Sequence, residues 1–244
     1  MMRLTSVVLS ILAVGLLTPA LGQDKKQDPK KKPEPKTWMC KKGELLWEET
    51  FSGSEIPKDW NKGKGNWQVE SGELKGAELP ADAHHAYMSR KVTDPNVVIQ
   101  ITFKLDGAKW MGGFFDGKEH VSALALDGDV FHIKKMSGIG PTSKSTDIDS
   151  TRMKLNDGNW HTVVWEVYDK EMVATIDDQQ MALARADDLS SDRSHLELNT
   201  GGGQWALFKD VKVWKAELDD KWAQKRATII QLMKKKPAAI GYKS

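Results

Sequence analysis

Seven side chains have the types needed to handle a ligand that is polar on one side and apolar on the other: Trp110, Asp116, His120, Asp127, His132, Glu166 and Trp205. Imidazoles and carboxylates supply directional donors and acceptors, and an indole supplies a flat apolar face. Asp116, His132 and Glu166 are also the candidates for general acid or base work. Trp110 and Trp205 stand beside glycine-rich text, which suits exposed platforms, whereas Trp160, Trp165 and Trp214 suit core or sheet-edge packing. His84 and His85 are adjacent and would point to opposite sides of a strand, so at most one of them can serve a site. His120 and His132 show no metal-ligand spacing, and no metal site is expected. TGGGQW at 200–205 precedes a strand rather than a helix, so it has no phosphate-cradling logic.

These side chains need strands to aim them, and the text between them reads as strands. In NVVIQITFKL, Val97, Ile99, Ile101, Phe103 and Leu105 alternate with Val98, Gln100, Thr102 and Lys104, the period of a half-buried strand. WHTVVWEVYD and EMVATID repeat the pattern. Phe131 and Ile133 take the core side of DVFHIKK and turn His132 and Lys134 outward; if Trp165 is core, Glu166 and Thr162 also face out. On that basis His132, Glu166, Thr102 and Gln100 are expected along one groove, with Trp110, Asp116, His120 and Asp127 near the loop ends that close it. The competing expectation is a solvated polar face with no groove.

Turn signals set the pairing. Ser71-Gly72 and Asp127-Gly128 each join two short runs, and Asp-Gly predicts a type I′ turn with positive φ. A third hairpin is expected at EMVATI-DDQ-QMALAR. Many short strands without intervening helices imply an all-β fold of two antiparallel sheets packed face to face. One helix is expected over 217–236, with acidic residues at its start, Lys234–Lys236 at its end and Pro237 as a stop, followed by a tail at 237–244. Leu218, Trp222, Ile229 and Met233 form its apolar stripe, which docks on the sandwich or serves a membrane surface or partner.

The ends bound the setting. Arg3, the apolar run from Val7 to Leu17 and the small residues Ala20 and Gly22 read as a secretory signal over 1–22, too short for the ~20 apolar residues of a comfortable membrane span. Residues 23–37, QDKKQDPKKKPEPKT, are a Lys/Pro-rich spacer with too little apolar surface to fold. The rest, 38–216, suits a single β-rich domain. One Cys, Cys40, rules out an internal disulfide, so the core must hold the domain, and ten Trp supply bulk for it. Cys40 is expected to be buried. A net charge of +2 and the absence of basic text interleaved with aromatics argue against nucleic acid.

The order of GNWQVESGELKG, NVVIQITFKL, GGFF, DGNWHTVVWEV, ATIDDQQ and WALFKDVKVW, over roughly residues 44–215, resembles the concanavalin A-like lectin/glucanase jelly rolls. It is most similar to exported bacterial proteins of the laminin G-like and 3-keto-disaccharide hydrolase types. The resemblance implies an antiparallel jelly-roll sandwich, a carbohydrate or cell-envelope glycan as partner and no required cofactor, and leaves open whether Ca²⁺ bridges loop aspartates as in some relatives. Two departures stand out. Asp116 follows Phe115 where the hydrolase type usually has Arg, and the Glu-x-Asp-x-x-Glu strand of the glucanases is absent. A retaining glycosidase needs two carboxyls about 5 Å apart, and no strand here offers them.

Three readings follow. The first is an exported lectin-like sandwich that binds carbohydrate through Trp110, Asp116, His120, Asp127, His132, Glu166 and Trp205. The second is a glycoside or 3-keto-disaccharide hydrolase using Asp116, His132 or Glu166. The third is a structural envelope module whose terminal helix carries the interaction. Convergence of Asp116, His132 and Glu166 on one face separates the first two.

Overall fold

The structure is a computed structural model that describes residues 34–233. The leader, most of the spacer, and Lys234–Lys236, Pro237 and the tail lie outside the described residues. The chain forms β1 (Cys40–Glu49), β2 (Trp60–Lys62), β3 (Asn66–Glu70), β4 (Glu73–Ala77), β5 (Ala86–Lys91), β6 (Val97–Asp106), β7 (Trp110–Asp116) and β8 (Ser122–Asp127). It continues through β9 (Val130–Ser137), β10 (Lys144–Arg152), β11 (His161–Tyr168), β12 (Glu171–Ile176), β13 (Gln180–Arg185), β14 (His195–Gly201) and β15 (Trp205–Leu218) to one helix, α1 (Trp222–Met233).

The strands make two sheets. The first runs β13-β12-β11-β6-β15-β4-β3, with β1 also paired to β15, and the second runs β10-β9-β8-β7-β14-β5-β2. Every named pairing is antiparallel. The alternation in the sequence becomes the core between the sheets. Val97, Ile99, Ile101, Phe103, Leu105 and Trp165 of the first sheet join Met111, Phe115, Leu124, Phe131, Ile133 and Leu198 of the second in one buried cluster. Removing apolar area from water at about 25 cal/mol per Å² makes this cluster the dominant stabilising feature in a chain whose single Cys is unpaired.

Two local expectations need correction. Ser71 and Gly72 do take positive φ, 55° and 77°, as a type I′ turn requires. The Asp127-Gly128 hairpin forms, but neither residue is in the left-handed region. The turn spreads from Leu126 to Phe131, the last paired residues, and the Gly128 carbonyl accepts the N–H of Leu155 at 2.7 Å and of Asn156 at 3.3 Å. A crossing segment, rather than the intrinsic preference of Asp-Gly, fixes that turn. The helix starts at Trp222 instead of Glu217, because Glu217 and Leu218 stay in β15, paired with Lys41 and Cys40.

The helix docks on the outside of the first sheet. Trp222 and Ile229 pack with Met39, Cys40, Val98, Val164, Val173 and Trp214 in a second buried cluster. The Trp222 indole N–H also donates to Glu171 Oε2 at 2.6 Å. Cys40 is buried here, as expected, and burial beside Glu166 pushes its thiol well above the usual range. Among the described residues, no helix is long and apolar enough to cross a membrane.

Candidate functional site

The two outer faces differ, and the difference sorts the expected site residues. Glu166 faces outward from β11 as its alternation with Trp165 requires, yet it is fully buried. Its Oε1 accepts the N–H of Trp38 at 2.9 Å, and its Oε2 accepts those of Met39 at 2.8 Å and Cys40 at 2.6 Å. Burial lifts its pKa to about 7, against these three amides and Lys225. Glu166 therefore anchors the incoming N-terminal segment and does not line an open groove.

The groove expected from His132, Glu166, Thr102 and Gln100 does not form. His132 belongs to β9 of the second sheet, while Gln100, Thr102 and Glu166 belong to β6 and β11 of the first. Alternation told which side of a strand each residue takes, but not which sheet the strand joins. Asp116, His132 and Glu166 consequently do not converge. Trp205 opens β15 in the first sheet, opposite Asp106, and makes no ring contact with Trp110. Of the helix's expected apolar stripe, Trp222 and Ile229 pack on the sheet.

The outer face of the second sheet is built differently. On β7 the outward positions are Trp110, Gly112, Phe114 and Asp116, since Met111 and Phe115 are core. Gly112 thus leaves a gap between two aromatic side chains whose Cα atoms are about 13 Å apart. The neighbours in register keep the floor low: Gly112 pairs with Ala125 on one side and Asn199 on the other, and Trp110 pairs with Gly201. A Cβ at Gly112 would meet the Leu124 carbonyl oxygen at 2.6 Å, so only glycine fits this backbone approach.

His85 stands over that floor. Its ring centroid is 5.4 Å from Trp110 and 6.1 Å from Phe114, both edge-to-face, with Tyr87 at 6.3 Å. Burial and the neighbouring His84 push its pKa down to about 4, so it is a neutral imidazole near pH 7. Beside it lies Asn199, fully buried, whose amide makes no hydrogen bond of ordinary geometry but stands within reach of the His85 ring, whose pKa it raises against burial. A buried amide without a well-formed hydrogen bond carries the desolvation cost of both groups with little return.

At the far side of Phe114 four ionisable groups meet. His120 Nδ1 is 2.6 Å from Asp116 Oδ2, and Asp116 Oδ1 accepts the Val121 N–H at 2.7 Å. Because Asp116 is acting as acceptor, His120 donates from Nδ1 and keeps Nε2 free. His120 also meets Phe114 edge-on at 5.4 Å. His195 pairs with Asp116 across the strands, and its Nε2 is 3.6 Å from Glu197 Oε1. On the same face, Asp127 is the cross-strand partner of Trp110 on β8 and His132 lies one strand further on β9, with Asp127 Oδ2 at 3.4 Å and Asp147 Oδ2 at 3.3 Å from the imidazole. A cleft of about 290 Å³ opens beside His120, lined in part by Glu119, Lys135 and Asp192.

The structure thus unites Trp110, Asp116 and His120 in one patch, keeps Asp127 and His132 nearby, and separates Glu166 and Trp205 from it. Sequence reasoning allowed one of His84 and His85 a place in a site but passed over Phe114, His195, Glu197 and Asn199. The last three were available in HLELN, where Leu196 and Leu198 take the core side and turn His195, Glu197 and Asn199 outward. A second cleft, at Trp160 and His161, is less free: His161 has both ring nitrogens on carboxylates, Asp177 at 2.7 Å and Asp157 at 3.0 Å.

A family model for the laminin G domain matches residues 101–211. No curated protein sequence matches the chain. Among solved structures, β-agarase A in complex with oligoagarose is similar with a TM-score of 0.58 at 8% identity, over 71% of this chain and 93% of that one. SCLam, a non-specific endo-β-1,3(4)-glucanase of family GH16, gives 0.54 at 14% identity, over 75% and 95%. The carbohydrate-binding module CBM66 from Bacillus subtilis gives 0.52 at 13% identity, over 64% and 96%. The fold is the concanavalin A-like jelly roll.

Proposed function

We propose that the chain is an exported carbohydrate-binding protein whose ligand sits on the outer face of the second sheet, against the Trp110, His85 and Phe114 cluster. The observation that carries this reading is the cluster at Gly112: over a glycine and alanine floor, a neutral imidazole packs between two half-buried aromatic side chains with a buried amide beside it. A sugar presents an apolar face to an aromatic ring and hydroxyls to directional donors and acceptors, and this arrangement offers both. The ligands or activities named for the similar structures, oligoagarose, β-1,3(4)-glucan cleavage and carbohydrate binding, give the reading its substrate class.

Binding is favoured over hydrolysis because Glu166, one of the three acid–base candidates, is closed off and the three do not share a face. The leader read at 1–22 and the Lys/Pro-rich stretch after it fit a protein that meets glycans outside the cytoplasm. The test is a screen of the purified protein against β-1,3-glucan, mixed-linkage β-1,3/1,4-glucan and agaro-oligosaccharides, beside an assay for released sugar. Retention that Trp110→Ala abolishes, without release of sugar, is expected. Retention indifferent to Trp110, or turnover of ordinary or 3-keto disaccharides, contradicts the reading.

A further inference from the structure

We propose that Asp116, His195 and Glu197 form a binding site for a first-row divalent transition ion, with Zn²⁺ as the probe, at the end of the glycan-binding face. Each of the three offers one donor atom, and these atoms lie within 4.8 Å of one another. The His195 Nε2 to Glu197 Oε1 separation of 3.6 Å is close to the donor–donor edge, about 3.4 Å, of a tetrahedral site with 2.0–2.2 Å bonds. One imidazole with two carboxylates favours zinc and its neighbours over Ca²⁺ or Mg²⁺, which take oxygen shells.

Strand geometry supplies the rigidity such a site needs. His195 and Glu197 are alternate outward residues of β14, and Asp116 is the cross-strand partner of His195 on β7. Asp116 is itself 2% exposed and held by two hydrogen bonds, from His120 and from the Val121 backbone, which leave lone pairs on its oxygens for a metal. Such outer contacts fix a ligating carboxylate in orientation.

A second observation points to a ligand on the same strand face. Asn199, the next outward residue of β14 after Glu197, is fully buried, and its amide has the His85 ring beside it but no hydrogen bond of ordinary geometry. Three protein donors leave a coordination position open. Resting on the carbohydrate reading, this position would take one sugar hydroxyl from the end of a ligand that reaches past Phe114.

The test is calorimetric titration of the full-length purified protein, stripped with chelator, with ZnCl₂ and no sugar. One equivalent is expected to bind in the micromolar range. The near-isosteric Glu197→Gln is expected to weaken binding at least tenfold, as is His195→Ala, while His84→Ala leaves it unchanged and CaCl₂ gives no saturable binding. Absence of saturable Zn²⁺ binding, or binding that both Glu197→Gln and His195→Ala leave intact, overturns the site. Because no sugar is present, this result stands apart from the carbohydrate reading. Glycan retention that survives metal removal overturns only the ion's part in capture.

Discussion

The two sheets each carry a fully buried polar side chain on their outer side, and the two are treated in opposite ways. Glu166 on the first sheet meets three backbone N–H donors from Trp38, Met39 and Cys40. Asn199 on the second meets no backbone group and has only the His85 ring within reach. A buried polar group that is fully satisfied holds structure in place; one left unsatisfied costs stability and calls for another explanation, such as a ligand. The first face is accordingly covered by the N-terminal segment and α1, and the second carries a half-buried cluster of aromatic and imidazole rings.

The largest effect that sharpens this contrast is expected from Glu166→Ala. Three buried N–H groups lose their acceptor, and urea unfolding should show a loss of about 3 kcal/mol or more. Protein that remains folded should bind glycan as before. A loss under about 1 kcal/mol would break the claim that Glu166 anchors the first face.

The pH dependence comes next. The native pKa of Glu166, about 7, lies above its ordinary 4.5, so the folded state holds the proton more tightly. Its stabilisation is therefore complete below pH 4.5 and is lost as pH rises to 7. The stability of the wild type relative to Glu166→Gln should fall across that window by on the order of 3 kcal/mol. His85 has the opposite sign. Its native pKa, about 4, lies below the ordinary 6.5, so its stabilisation is present above pH 6.5 and is lost as pH falls toward 4. The wild type relative to His85→Ala should gain stability as pH rises through that range. Unfolding curves at several pH values that give both differences the same sign would contradict the assignment.

Trp110→Ala is expected to weaken retention of a bound glycan by about 1–3 kcal/mol while leaving unfolding nearly unchanged, since the ring is only half-buried. Equal losses in binding and stability would instead make Trp110 a packing residue.

Much of the fold was legible because a half-buried strand writes its burial into the sequence with period two. Val97 to Leu105 and the strand around Trp165 did so, and their core sides were read correctly. Alternation also placed Glu166 on the outer side. It carried no sign that residues 38–40, more than 120 positions away in the chain, would fold over it. Nor could local periodicity say that His132 and Glu166 belong to different sheets, because strand order is a property of long-range pairing. The site was legible in part. Trp110, Asp116 and His120 sit close together in sequence and in space, whereas His85, His195, Glu197 and Asn199 reach them only through the β5-β14-β7 neighbourhood.

Asn199→Leu tests the central claim most directly, by measuring unfolding free energy and glycan retention on the same protein. Leucine has a similar shape and no polar atoms to leave unpaired. The account predicts stability unchanged or raised by up to about 1 kcal/mol, with glycan retention lost. A destabilised protein, or one that retains glycan as the wild type does, would show that the buried amide does not mark the ligand face.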